Sequence, residues 1–129
     1  MSGKFTVEII TPDKSILKSE ANEVTIPSYE GQMGILKDHI PLITFLRPGV
    51  IFILDQDEKK YYVEEGTVEF SDNNLLILTS TAIDLKNLKQ NSIADLLKQA
   101  ENKLNENNSS DKEKYLLSYK ISTLKDISQ

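Results

Sequence analysis

Residues 50 to 80 read VIFILDQDEKKYYVEEGTVEFSDNNLLILTS, and this stretch decides the fold because it holds two hairpins written end to end. In the first, a strand over 49 to 54 and another over 59 to 65 flank the polar turn Asp55 to Glu58. In the second, strands over 67 to 71 and 75 to 80 flank Ser71-Asp72-Asn73-Asn74. Short apolar arms with polar turns at this spacing are the pattern of an all-β unit. Tyr61 and Tyr62 are neighbours in one arm, and neighbours in a strand face opposite ways, so one ring is expected inside and one outside.

The same pattern extends toward the N-terminus. Phe5, Val7 and Ile9 alternate with Thr6 and Glu8, and TPDKS at 11 to 15 then breaks the strand. Further strands are expected near 16 to 19, 22 to 27, 34 to 36 and 42 to 46. So many short strands on ~80 residues predict a β-sandwich or flattened barrel, which packs the sheet edges away.

Toward the C-terminus the period changes. From Lys86 to Gln129 there is neither glycine nor proline, which permits long helices. Ile93, Leu97, Ala100 and Leu104, with Leu96 beside them, form one helical stripe. Leu117, Ile121 and Leu124, flanked by Leu116 and Tyr119, form the stripe of a short second helix. The intervening NENNSSDKE stops the first helix, and Ser110 with Glu113 supplies a capping box for the second. The expected organisation is thus a mainly β domain over residues 1–85 and an antiparallel two-helix hairpin over 86–129. A hairpin this small buries little surface alone and must dock on the β domain or on a partner, or move between the two.

Composition narrows the function. The 129-residue chain has room for one core plus a small appendage. Its net charge of −5 would repel phosphate backbones, so nucleic acid is not an expected partner. The absence of cysteine removes disulfides, thiolate metal sites and thiol nucleophiles together. No secretory pattern opens the chain, and its longest apolar run, Val50 to Leu54, is far short of a membrane span of ~20 residues, so any membrane association is expected to be indirect.

One span concentrates unusual residues. GQMGILKDHIPLITFLRPG, residues 31 to 49, holds three glycines, two prolines and the only arginine and histidine. Catalysis by His39 would need a nucleophile, metal ligands or an orienting carboxylate, and Asp38 is badly placed because adjacent strand residues diverge. Gly31-Gln-Met-Gly34 matches the G-x-x-G of one RNA-binding class, but without the flanking helices or basic surface. No phosphate-cradling glycine motif occurs. These residues point to binding in preference to chemistry, with no catalytic, metal or cofactor residues assigned.

Residues 24 to 53, VTIPSYEGQMGILKDHIPLITFLRPGVIFI, resemble the signature region of the epsilon subunit of F-type rotary ATP synthases, called delta in mitochondria. The matching elements are Glu30, Gly31, Gly34, Ile35, Leu36, His39, Pro41, Pro48 and Gly49. FTVEIITPDKSILKSEANEV resembles the family's opening hairpin, and the resemblance covers essentially the whole chain, most strongly residues 24 to 83.

That resemblance implies a non-catalytic central-stalk protein whose sandwich binds the gamma subunit and the c-ring, coupling proton flow to ATP synthesis. It would lie at the cytoplasmic face of the inner (plasma) membrane, held there through the complex without inserting. Tyr29, Glu30, Gly31, Gln32 and Met33 would face the c-ring; His39, Leu42, Ile43 and Thr44 would lie close to gamma. The hairpin would reach the alpha/beta catalytic head if it regulates hydrolysis. Two departures stand out. Gln32 occupies a position often acidic in bacterial relatives, which removes a salt bridge to the c-ring. Leu88-Lys89-Gln90-Asn91-Ser92-Ile93 lacks the aspartate and arginine of the family's ATP-binding motif, so no nucleotide cofactor is expected. The short second helix and the missing motif imply a hairpin that is weakly inhibitory or constitutively folded down. The competing readings are a free-standing nucleotide or small-ligand sensor with a helical lid, and a hydrolase built on His39.

Overall fold

The computed structural model describes residues 3–106 and 108–128. Ten strands come first: β1 (Phe5–Ile10), β2 (Ser15–Ala21), β3 (Glu23–Ser28), β4 (Gly31–Leu36), β5 (Leu42–Leu46), β6 (Gly49–Leu54), β7 (Glu58–Val63), β8 (Gly66–Ser71), β9 (Asn74–Thr79) and β10 (Ala82–Asp84). A 3₁₀ turn at Leu85–Asn87 leads to α1 (Gln90–Leu104) and α2 (Asp111–Ile127). This is the expected sandwich followed by a helical hairpin. The N-terminal alternation is realised directly: Phe5, Val7 and Ile9 are buried while their neighbours are not.

The strands run β10-β7-β6-β3-β5-β8-β9-β1-β2, with β4 paired to β3. Between β3 and β5 the ladder narrows to a single pair, Ser28 with Leu46, so the sheet folds there into two layers. One layer is β10-β7-β6-β3-β4; the other is β5-β8-β9-β1-β2, in which β1 and β9 are parallel. Val24, Ile26, Ile35, Ile51, Ile53, Tyr61 and Val63 meet Val7, Ile9, Leu46, Val68, Phe70 and Ile77 between the layers. Burial of these side chains at roughly 1.5–3 kcal/mol each is what holds the sandwich closed.

Both hairpins form with the expected turns. At the second, Asp72 and Asn73 have φ of 50° and 58°, the left-handed pair of a type I′ turn, a conformation that asparagine and aspartate tolerate best after glycine. The reading of Tyr61 and Tyr62 needs a correction. They do face opposite ways, but Tyr62 is fully buried as well, because Ile93 and Leu124 of the hairpin cover that outer face. Its hydroxyl donates to Glu64 Oε2 at 2.8 Å. Burial, followed by the neighbouring Glu64 charge, raises the Tyr62 phenol well above its ordinary range.

α2 begins at the capping box anticipated from the sequence: the Glu113 N–H donates to Ser110 Oγ at 3.1 Å and the Ser110 N–H to Glu113 Oε1 at 3.5 Å. It is not a short helix, however. At 17 residues it outlasts the 15 of α1, because nothing between Asp111 and Ile127 breaks it. Its buried apolar residues are Leu116 and Leu124, with Leu117 and Ile121 only half-buried, so the stripe is rotated from the one expected.

Candidate functional site

The span from Pro27 to Gly49 folds as a turn, a strand pair and a loop around one corner of the sandwich. Ser28 ends β3, buried, and its Oγ donates to the Gly31 carbonyl at 2.7 Å across the Tyr29-Glu30 turn. Gly31 has φ 128°, a conformation closed to side chains, although no atom within 4 Å would obstruct a Cβ. Gly49 is required for the opposite reason: a Cβ there would lie 2.6 Å from the Pro27 ring. Gly34 answers to neither demand. It is exposed in β4, and a Cβ would meet only Glu23 Oε2, at 3.6 Å. A bare strand position weakens β4 by roughly 0.5–1 kcal/mol relative to alanine, which is reason to look for its use outside the chain.

The expected contact residues separate by face. Glu30 and Gln32 are exposed, Tyr29 and Gly31 are half-buried, and Met33 turns inward to pack on the core. Gln32 opens onto a cavity of about 610 Å³ between the hairpin and the β3-β6-β7 layer, whose lining includes Arg47, Phe52, Lys60 and Tyr119. On β5, Leu42 packs against the core and Thr44 shares its side of the strand, whereas Ile43 is 76% exposed. Phe45, two residues on and not singled out from the sequence, is 58% exposed beside it.

These two belong to an open sheet face. Phe45 pairs with Thr67, Thr67 with Leu78 and Leu78 with Ile10, so one cross-strand row runs over four strands of the second layer. Leu78 is itself 43% exposed. The hairpin covers the other layer, and this row remains uncovered.

His39 sits at the end of the loop. Its Nδ1 donates to the Ile40 carbonyl at 2.7 Å, and its ring meets Phe70 edge-on, centroids 5.9 Å apart. Before it, Asp38 has φ 66° and exchanges hydrogen bonds with Asn73: the Asp38 N–H donates to Asn73 Oδ1 at 2.7 Å, and Asn73 Nδ2 donates to Asp38 Oδ1 at 2.9 Å. The loop is thereby clasped to the β8-β9 turn. Asp38 thus orients Asn73, not the imidazole. Among the described residues no group of three or more histidines, aspartates or glutamates is placed to hold a metal ion, and no helix is long and apolar enough to cross a membrane.

The side of the corner that sequence reading missed is held by α2. Tyr115, Tyr119 and Thr123, four residues apart, form a stripe on one face. The Tyr115 hydroxyl donates to the Tyr29 carbonyl at 2.9 Å, and Thr123 Oγ1 donates to the Pro48 carbonyl at 3.4 Å. Arg47 lies over the Tyr119 ring, 3.8 Å from its centroid. Below, Lys120 Nζ pairs with Glu64 Oε2 at 3.1 Å, extending the Tyr62 bond into a three-member network. In the sequence Tyr119 stands out only as a flank of the apolar stripe, and the i, i+4 recurrence that joins Tyr115 to it is not weighed by an apolar-period search.

Comparison with known proteins agrees with this architecture. Residues 4–85 match the family described as ATP synthase, Delta/Epsilon chain, beta-sandwich domain. The chain belongs to the ATP synthase delta/epsilon family. Among relatives in that family, the ATP synthase epsilon chain of Pelagibacter ubique is 47% identical over 127 residues, covering 97% of this chain and 98% of the relative. The epsilon chain of Desulfitobacterium hafniense (strain DSM 10664 / DCB-2) is 40% identical over 83 residues, covering 64% and 63%. In structure, a chain of the Euglena gracilis mitochondrial ATP synthase OSCP/F1/c-ring assembly superimposes with a TM-score of 0.73 at 21% identity, covering 95% of this chain and 78% of that one. A chain of the Tetrahymena thermophila mitochondrial ATP synthase central stalk/c-ring gives 0.72 at 19% identity, covering 99% and 98%. At those identities the two superpositions speak for the fold alone.

Proposed function

We propose that this chain is a non-catalytic subunit of the central stalk of a proton-translocating F-type ATP synthase. It joins the gamma subunit to the c-ring and helps couple proton flow to ATP synthesis. The observation that carries the reading is the open apolar row through Phe45 and Leu78, with Ile43 beside it, on the layer the hairpin does not cover. Exposed apolar side chains of this size, adjacent on a rigid sheet, are the anchors of a protein interface. This is the gamma-facing surface. The Tyr29-Glu30 turn and the Gln32 and Gly34 side of β4 form the c-ring-facing edge, where a missing side chain lets another backbone approach closely. Being attached through these contacts, the chain sits peripherally at the cytoplasmic face of the membrane. The alpha/beta head is the further partner if the hairpin regulates hydrolysis.

Strand orientation sharpens the gamma contact. Ile43 and Phe45 make it directly, while Leu42 and Thr44 keep β5 seated on the core. Ile43→Asp should leave the fold intact and weaken binding to the cognate gamma subunit about 30-fold or more, the scale of a buried hot spot. Calorimetry and co-elution measure it, with circular dichroism to monitor folding. Unchanged affinity in both Ile43→Asp and Phe45→Asp would overturn the assignment of this face. Leu42→Asp should instead lower thermal stability, since a charge would enter the core side.

A further inference from the structure

The contacts of α2 at the sandwich corner form a continuous path. Phe45 meets Tyr29 with centroids 6.3 Å apart, Tyr29 meets Tyr115 at 5.5 Å, Tyr115 meets Tyr119 at 5.0 Å, and Tyr119 carries the Arg47 guanidinium. Phe45 belongs to the open sheet face, Tyr29 to the β3-β4 turn, and Tyr115 and Tyr119 to the hairpin. Arg47 returns the path to β5-β6. The backbone closes the same circuit, because the Tyr29 N–H donates to the Phe45 carbonyl at 3.1 Å and the Arg47 N–H to the Pro27 carbonyl at 3.0 Å.

A turn of two residues between strands has few bonds of its own. Here the Tyr29 carbonyl accepts its hydrogen bond from a side chain 86 residues away, on an element that docks through a separate, small apolar cluster. We infer that Tyr115 is a positioning residue for the β3-β4 turn, so that hairpin docking and engagement of that turn by the c-ring are energetically coupled. The second half of this statement rests on the c-ring reading proposed above; the first half does not. With the hairpin docked, Tyr115 holds the Tyr29 peptide and leaves Glu30 presented outward. With the hairpin displaced, Tyr29 loses a hydrogen bond and a ring contact together. Coupling of this kind is reciprocal: a partner that stabilises the turn must stabilise the docked hairpin by the same factor.

The test is amide hydrogen exchange on the full chain, free and assembled with gamma and the c-ring, for the native protein, Tyr115→Phe and Tyr115→Ala. In the free chain, loss of the hydroxyl in Tyr115→Phe should speed exchange of the Tyr29 and Arg47 amides about 2- to 12-fold, the worth of one net hydrogen bond. Tyr115→Ala, which also removes the ring contacts, should exceed that. Unchanged exchange at Tyr29 and Arg47 in both variants overturns the coupling. In the assembled complex, protection of residues 29–34 should rise together with that of α2, and Tyr115→Phe should weaken the link. Protection of the turn without any change in α2 also overturns the inference. If assembly leaves 29–34 unprotected while the free-chain effect holds, the error lies in the c-ring assignment and the hairpin-turn coupling stands.

Discussion

Leu124→Ala tests how the hairpin is held. Leu124 is fully buried and shares its cluster with Tyr62 and Ile93, while Ile83, Leu85, Leu88, Leu96, Leu97 and Ile127 pack around them only partly buried. The other ties between α2 and the sandwich are two side-chain hydrogen bonds to carbonyls, the Lys120–Glu64 pair, the Tyr29–Tyr115 ring contact and Arg47 over the Tyr119 ring. Partly exposed ties of this sort contribute about 0–1 kcal/mol each. Removing the Leu124 side chain should cost about 2–5 kcal/mol, including the cavity it leaves. Because this cluster is distinct from the sandwich core, the loss should fall on the hairpin. Opening of α1 and α2 should increase about 30- to 5,000-fold, the same energy expressed as an equilibrium constant, while β1, β6 and β9 keep their protection. Native-state amide exchange followed by mass spectrometry resolves the two regions. Ile51→Ala, in the main core, provides the contrast and should lower protection everywhere. If Leu124→Ala exposes β1 and β9 as much as the helices, hairpin and sandwich unfold as one unit, and the reasoning from separate clusters is wrong.

The phenol of Tyr62 stays protonated in the fold above the pH at which it ionises in the unfolded chain. The unfolded state therefore binds fewer protons above about pH 10, so stability is full below that point and falls as pH rises beyond it. The slope contributed is at most about 1.4 kcal/mol per pH unit, and Tyr62→Phe should flatten the alkaline limb of a urea-denaturation series; an unchanged limb would show that Tyr62 is not its source. Deleting residues 88–129 should change ATP hydrolysis by the assembled enzyme only modestly, since the hairpin is seated on the sandwich and Leu88 to Ile93 lacks the aspartate and arginine of the nucleotide motif. A many-fold rise in ATPase activity would instead make the hairpin a strong brake.

Much of this molecule is a local property of its sequence. Alternation in Phe5 to Ile9, the Asp72-Asn73 turn, the Ser110–Glu113 box and the absence of glycine and proline after Leu85 act within a few residues. Such features are legible because strand period, turn chemistry and capping are decided by neighbours in the chain. The concentration of special residues between Gly31 and Gly49 likewise marks a shaped surface in the sequence alone. The structure supplied distinct reasons for two of those glycines, backbone conformation at Gly31 and contact with Pro27 at Gly49.

Tertiary structure decided which side each residue serves. Period two says that Leu42 and Ile43 diverge, but only pairing of β5 with β8 and burial of Leu46 put Leu42 inside and Ile43 with Phe45 outside. The three-residue strand β10 exists because β7 offers it a ladder, not because its residues demand one. Tyr62 is interior only because a hairpin of other residues lies on it. Asp38 finds Asn73 across 35 positions, and Tyr115 finds Tyr29 across 86. The first pairing depends on the two layers closing on each other and the second on the hairpin docking, and no window of local sequence contains both members of either.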